Sequence, residues 1–328
     1  MMQTRRLGAT ALTVTPIGLG LAALGRPAYI DLGRADDLGD DRTVRAMRRR
    51  CHRVLDAAFE AGIRYLDAAR SYGRAEEFLG SWLGARGLPE GAITVGSKWG
   101  YVYTGEWRLD APVHEVKEHS LATLRRQLEE SGSLLGDRLA LYQIHSATLE
   151  SGVLEDGEVL AELDRLRHES LVIGLTVSGP RQGDVIRRAM DAEVDGVNPF
   201  QTVQATWNLL ERSAGPALAE AHDAGWGVIV KEALANGRLT SHGAATDRQL
   251  LERVGAAHGA TADQVALAAA LAEPWASVVL SGAVSVDQLR SNAGAVSLGL
   301  TEDDRRELAK LVNPAEEYWR ARAALPWG

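Results

Sequence analysis

Short runs of β-branched and other apolar residues alternate along the whole chain with longer stretches whose apolar positions recur at helical spacing. The short runs predict strands at 14–20, 63–69, 93–99, 139–146, 172–179, 196–204, 225–234 and 277–283. Between and after them the helical patterns fall at 42–61, 74–86, 113–131, 156–169, 181–191, 211–224, 261–272 and 285–295. Runs such as Ile93-Thr94-Val95 and Val278-Val279-Leu280 are almost continuously apolar, as strands buried on both faces require. Eight strands, each followed by a helix, predict an α/β fold of one domain over residues 1–328, a (β/α)8 TIM barrel. The alternation ahead of the first strand predicts an N-terminal β-hairpin, and an extra C-terminal helix at 302–312 is expected to lie outside the barrel. Thr261 with Gln264, and Thr301 with Asp304, have the spacing of capping boxes.

Composition narrows the classes without choosing among them. The 328 residues are 45% hydrophobic and 24% charged, ordinary values for a globular protein. Acidic residues outnumber basic ones, 44 to 36, so there is no positive field to neutralise phosphates, which argues against nucleic acid as a partner. The lone Cys51 excludes a disulfide framework and any multi-cysteine metal site, and fits a reducing, cytoplasmic setting. The apolar stretch 7–24 behind Arg5 and Arg6 has some likeness to a secretion signal, but Thr10, Thr13, Thr15 and Pro16 read better as hairpin and strand. The run 265–284 is broken by Glu273 and Pro274, so no membrane span is expected.

Gly18-Leu19-Gly20-Leu21-Ala22-Ala23 matches a dinucleotide-binding fingerprint, but that mechanism needs a helix to start there. Gly25, Pro27 and an acidic loop follow instead, so a close-packed strand end is the better reading. More informative is where ionisable groups stand. Asp67, Lys98 and His145 sit at the ends of the second, third and fourth predicted strands, and Tyr72 lies in the turn after the second. In a (β/α)8 barrel those ends form one mouth, so the four can converge. Each alone has a structural explanation; together they suit carbonyl reduction. A tyrosine hydroxyl protonates the developing alkoxide, a nearby ammonium lowers its pKa, a carboxylate holds the ammonium, and an imidazole orients the carbonyl. None of these groups can supply hydride, which implies a nicotinamide cofactor. The other histidines, His114 and His119 among them, fall on helix patterns and read as surface residues.

The chain resembles the aldo-keto reductase superfamily over nearly its whole length. The resemblance rests on Asp67-Ala68-Ala69-Arg70-Ser71-Tyr72-Gly73, Lys98, Gln143-Ile144-His145, Gly174-Leu175-Thr176-Val177-Ser178, Val203-Gln204-Ala205-Thr206-Trp207-Asn208, and Ser281-Gly282-Ala283 leading to Gln288 and Asn292. It implies a reversible reduction of an aldehyde or ketone by NADPH or NADH, with Asp67, Tyr72, Lys98 and His145 as the catalytic tetrad. It also implies a cofactor extended across the mouth. Ser178 and Gln204 would bind the carboxamide, Trp207 would stack on the ring, and Gly20, Ala233, Leu234 and Gly237 would border the pyrophosphate path. Ser281, Gly282, Ser285, Gln288 and Asn292 would hold the adenosine end. NADPH-preferring relatives usually carry a cation around the positions held here by Gly282, Val284 and Gln288, so weaker discrimination for NADPH is expected. Trp99, Tyr101 and Tyr103 could wall a substrate pocket, with Tyr29 and Trp327 closing it; no metal is expected. The expected state is a monomer or weak homo-oligomer acting on a small carbonyl or alcohol. Two alternatives stay open: a Schiff-base lyase using Lys98, and a cofactor-binding regulatory subunit.

Overall fold

A computed structural model of the chain describes residues 2–30 and 32–327, apart from the side chain of Arg34. Eight parallel strands close into a barrel: β1 (Ile17–Gly20), β2 (Tyr65–Asp67), β3 (Thr94–Trp99), β4 (Leu139–Ala147), β5 (Val172–Val177), β6 (Thr202–Thr206), β7 (Gly227–Lys231) and β8 (Val278–Ser281). Closure runs through β8 beside β1, with Val279 opposite Ile17 and Ser281 opposite Leu19. The covering helices are α1 (Val44–Glu60), α2 (Ala75–Arg86), α3 (Leu121–Leu135), α4 (Gly157–His168), α5 (Gln182–Met190), α6 (Gly215–Asp223), α7 (Ala262–Leu271) and α8 (Val286–Gly294). On α1 the buried Met47, Cys51, Val54, Leu55 and Ala58 recur at helical spacing and face the strands, and Thr43 caps its start through a bond from the Ala46 N–H (3.3 Å).

The N-terminal hairpin pairs Arg5–Arg6 with Thr13–Val14 and plugs the barrel floor. Leu7 and Val14 pack there against Tyr65, Leu141, Ile229 and Val278. Gly8 makes the fit possible: it has a φ of +58°, and a Cβ on it would stand 2.3 Å from the Gly227 nitrogen. With the floor closed, any ligand must enter from the other end.

Both expected capping boxes form, Thr261 with Gln264 and Thr301 with Asp304. Elsewhere the boundaries moved. The helix expected at 113–131 begins only at Leu121, because Glu115–Lys117 forms a strand antiparallel to Tyr101–Tyr103. Ser120 is the true helix cap, accepting from the Thr123 N–H at 3.2 Å. The strand expected at 196–204 starts at Thr202. Helices at Ala245–His258 and Ala315–Ala323 were not anticipated, and the outer helix is Glu302–Leu308 with a 3₁₀ turn, Ala309–Leu311, behind it.

Candidate active site

The barrel mouth opens on a cavity of about 730 Å³, within the range of small-molecule and cofactor pockets. Asp67 is the last residue of β2 and Lys98 the last but one of β3. His145 is carried inward by an irregularity in β4: the pairing with β5 jumps from Ile144 to Ala147, and Ser146 takes a φ of +51°. Such a bulge re-aims a side chain that a regular strand would leave in register. Tyr72 follows β2 in the turn that enters α2, with its N–H bonded to the Ala69 carbonyl at 3.0 Å.

These four groups meet. The Lys98 ammonium donates to the Asp67 carboxylate and to the Ala68 carbonyl (2.8 Å), and it lies 4.8 Å from the centre of the Tyr72 ring. Asp67 also accepts from Tyr65 (3.1 Å) and Gln204 (3.0 Å). The Tyr72 and His145 rings stand edge to face with centroids 5.4 Å apart. Asp67, Tyr72 and His145 line the cavity; Lys98, 1% exposed, lies behind them. An amine so engaged and so enclosed offers no approach to a substrate carbonyl, which removes the support for Schiff-base chemistry at Lys98.

The electrostatics differ in one respect from expectation. Burial pushes the Tyr72 phenol well above its ordinary value and the Asp67 carboxylate adds to the rise, while the Arg26 guanidinium opposes it. The net lowering expected for Tyr72 is therefore not seen: burial and the Asp67 charge outweigh the cations around the ring. The phenol is held protonated, as a proton donor must be. Burial, then Lys98, Lys231 and Arg26, drive His145 well below its ordinary value, so its imidazole is neutral. Ser71 Oγ lies 3.3 Å from its Nδ1.

Gly20, Ser178, Gln204, Ala233, Leu234, Gly237, Ser281, Gly282, Gln288 and Asn292 all line the cavity, which extends from Tyr72 to the start of α8. The 233–237 turn holds Ala235 and Asn236 at positive φ and is tied to the first loop by the Asn236 side-chain bond to the Ile30 carbonyl, 3.0 Å. Ser285 is not on the wall; its hydroxyl caps α8 by accepting from the Gln288 N–H at 3.2 Å. Trp207 is a correction. It lies one residue beyond the end of β6, 3% exposed, packed against Trp275 with centroids 5.7 Å apart, and does not line the cavity.

The aromatic loop after β3 also behaves differently from expectation. Trp99 is fully buried beside His119, and Tyr103 binds the Trp107 N–H in the hairpin. None of the three lines the cavity; Tyr101 borders it from behind, its ring 4.9 Å from that of His145. Tyr29 and Trp327 do line it, edge to face at 6.3 Å. His114 and His119 are not surface residues: His114 stacks on Trp327 at 4.4 Å and His119 lies 2.8 Å from the His145 carbonyl.

Four charged groups in the mouth went unrecognised in the sequence. Arg26, 2% exposed, lies between the rings of Tyr29, Tyr72 and Trp327 and pairs with Glu115 at 2.8 Å. Lys231 ends β7, and Glu232 beside it is gripped by Arg322 from the last helix, with the Arg322 Nε 2.9 and 3.0 Å from the two carboxylate oxygens. Lys231 and Glu232 could have been found by the rule that picked out Asp67, Lys98 and His145, since both stand at a strand end. Arg322 gave no local signal.

The family model for the aldo/keto reductase family matches residues 16–313. The chain belongs to the aldo/keto reductase family. Among curated relatives, L-galactose dehydrogenase of Arabidopsis thaliana is 25% identical, over 96% of each chain. Pyridoxal 4-dehydrogenase of Microbacterium luteolum is 29% identical over 59% of this chain and 60% of its own. Among solved structures, a holo-form aldo-keto reductase from Bacillus halodurans superposes with a TM-score of 0.71 at 23% identity, covering 96% of this chain and 98% of that one. The chain is thus an oxidoreductase of a family that works with NAD(P)H, and its barrel is the aldo/keto reductase barrel. No helix among the described residues is long and apolar enough to cross a membrane.

Proposed function

We propose that this aldo/keto reductase interconverts a small aldehyde or ketone and its alcohol, with Tyr72 as the proton donor. The observation that carries the reading is the meeting of Asp67, Tyr72, Lys98 and His145 at one end of an elongated cavity. The far end of that cavity suits a dinucleotide. A Cβ on Gly282 would meet no protein atom within 4 Å, so the backbone there borders open space, and the Ser281 hydroxyl and the Asn292 amide, 2.8 Å apart, stand beside it. Ser178 and Gln204 would hold the carboxamide, and Ala233, Leu234 and Gly237 would border the diphosphate.

When bound, the cofactor supplies the hydride. The chain's own part is to bind, orient and protonate. The neutral His145 imidazole donates a hydrogen bond to the carbonyl oxygen, and Tyr72 passes its proton to the same oxygen. Arg26 and Lys98, 5.3 and 4.8 Å from the ring centre, offset the phenolate charge once that proton has left. Tyr29 and Trp327 would flank a compact polar substrate, and sugars and pyridoxal are the first to try, given what two relatives are named for.

Among the described residues, Glu252, Asp263 and Asp287 line the far end of the cavity, and no lysine or arginine does. A 2′-phosphate would meet carboxylates there, which supports NADH over NADPH. The test is a panel of aldehydes, ketones, sugars and alcohols with both cofactors, followed by nicotinamide absorbance. Turnover with at least one substrate is expected, with NADH favoured. Tight cofactor binding without turnover across the panel would overturn the reading and favour a regulatory subunit.

A further inference from the structure

Lys231 touches none of the reacting groups described above, yet it faces the cavity at the end of β7. Its ammonium donates to the Ser178 hydroxyl at 3.1 Å and the Thr206 hydroxyl at 3.0 Å. Among the described residues no carboxylate lies within ion-pair distance of it. Glu232, its sequence neighbour, is held instead by Arg322 and by the Thr206 hydroxyl at 3.0 Å. Asp67 is likewise taken by Lys98. With those pairs closed, Lys231 is the charge left over in this part of the mouth. A cation deep in a protein without an ion partner raises the energy of any positive charge brought beside it, because the low local dielectric screens the repulsion weakly. Burial lowers its pKa to about 8, with the Glu232 charge beyond ion-pair distance opposing the fall, which leaves it charged at neutral pH.

We infer that Lys231 sets the redox poise of the bound cofactor, discriminating against the cationic oxidised nicotinamide in favour of the neutral reduced one. The inference rests on the proposed placement of the carboxamide at Ser178, the hydroxyl that Lys231 touches. The two cofactor forms share the same diphosphate, ribose and adenine, so contacts along the rest of the cavity cancel in the comparison. They differ by one positive charge on the ring. An ammonium beside the ring pocket therefore weakens binding of one form alone and makes the bound couple a better hydride acceptor.

Equilibrium binding of NAD⁺ and NADH to the intact protein, by quenching of intrinsic fluorescence at pH 7, tests this without turnover. NADP⁺ and NADPH form a second pair. The parent is expected to bind the reduced form about tenfold or more tightly than the oxidised form, a displacement of about 30 mV for a two-electron couple. Lys231→Met should lose most of that ratio by gaining affinity for the oxidised form, and Lys231→Arg should keep it. A parent ratio near one overturns the inference without any variant. So does a folded Lys231→Met protein whose ratio stays within twofold of the parent's, and in that case the cofactor site itself still stands. If the parent binds neither form of either cofactor, the placement at Ser178 fails and the inference fails with it.

Discussion

The Asp67–Lys98 pair offers the clearest quantitative test of how the site is built. Both residues are 1% exposed, and the Lys98 ammonium has Asp67 as its ion partner and the Ala68 carbonyl as a second acceptor. Asp67→Asn preserves shape and keeps an oxygen for Tyr65 and Gln204, but turns an amide group toward an ammonium that can only donate. Losing one member of a buried pair costs about 3–5 kcal/mol, and the retained bonds put this change near the lower end, about 3 kcal/mol. At roughly 2–4 °C per kcal/mol for a large domain, Tm should fall by about 6–12 °C. Adding Lys98→Met removes the stranded charge, so the double variant should be at least about 2 kcal/mol more stable than the sum of the single losses predicts. Urea unfolding followed by circular dichroism measures both quantities. The Tyr72 phenol supplies a second readout, because the Asp67 carboxylate helps to raise it and its removal should shift the alkaline limb of activity downward. A single-variant loss below about 1 kcal/mol, or additivity within about 0.5 kcal/mol, would refute the claim that this pair is a tightly coupled, dehydrated ion pair.

Three further expectations follow from the same structure. His145 sits well below its ordinary pKa and His119 is pushed down to about 4, burial being the first cause in both. The unfolded chain therefore takes up protons first, so stability is full above about pH 6.5 and declines toward pH 4 by about 1.4 kcal/mol per pH unit for each imidazole. His119→Gln should flatten that slope by about one proton, and an unchanged slope in urea titrations across this window would contradict the assignment. Burial raises the Glu232 carboxyl, but Arg322 and Lys231 outweigh it and hold the group at about 2. Arg322→Met should cost about 2 kcal/mol at neutral pH, discounted for the partial exposure of Arg322, and the parent's advantage should fade as pH drops from about 4.5 toward 2; equal unfolding midpoints at neutral pH would contradict it. Gln288→Arg places a cation on the acid-lined end of the cavity and should raise NADPH affinity relative to NADH by about tenfold, measured by titration of each cofactor; an unchanged ratio would put the 2′-phosphate elsewhere.

The barrel was legible because its strands are buried on both faces and its helices on one, so the two periods alternate in plain sight. Asp67, Lys98 and His145 were legible for a related reason: an ionisable residue closing an apolar strand is out of place unless the strand end faces a cavity. What local patterns could not carry was contact across distance. Arg26 reaches the site from the first loop and Arg322 from the last helix, whereas Tyr29 and Trp327 line it as expected. Trp207 misled because the chain turns after Thr206, where the Asn208 side chain accepts from the N–H groups of Leu210 (2.9 Å) and Glu211 (3.0 Å) and the indole packs against Trp275. The segment 113–119 misled because charged residues at alternating positions can sit on a helix or on a two-stranded ribbon, and only pairing with Tyr101–Tyr103 decides. Lys231 and Glu232 were overlooked within a long apolar run whose end was expected later than it falls.

The most direct test of the proposed chemistry is Tyr72→Phe, with cofactor binding and carbonyl reduction measured on the same preparation. The ring and its contacts with His145, Lys98 and Arg26 survive the change; the hydroxyl does not. Loss of general acid catalysis is worth about 10²–10⁴-fold. The expected result is cofactor affinity within a few-fold of the parent's and reduction slowed by at least about a hundredfold. Reduction by the variant within a few-fold of the parent's would contradict Tyr72 as the proton donor and, with it, the account of the site.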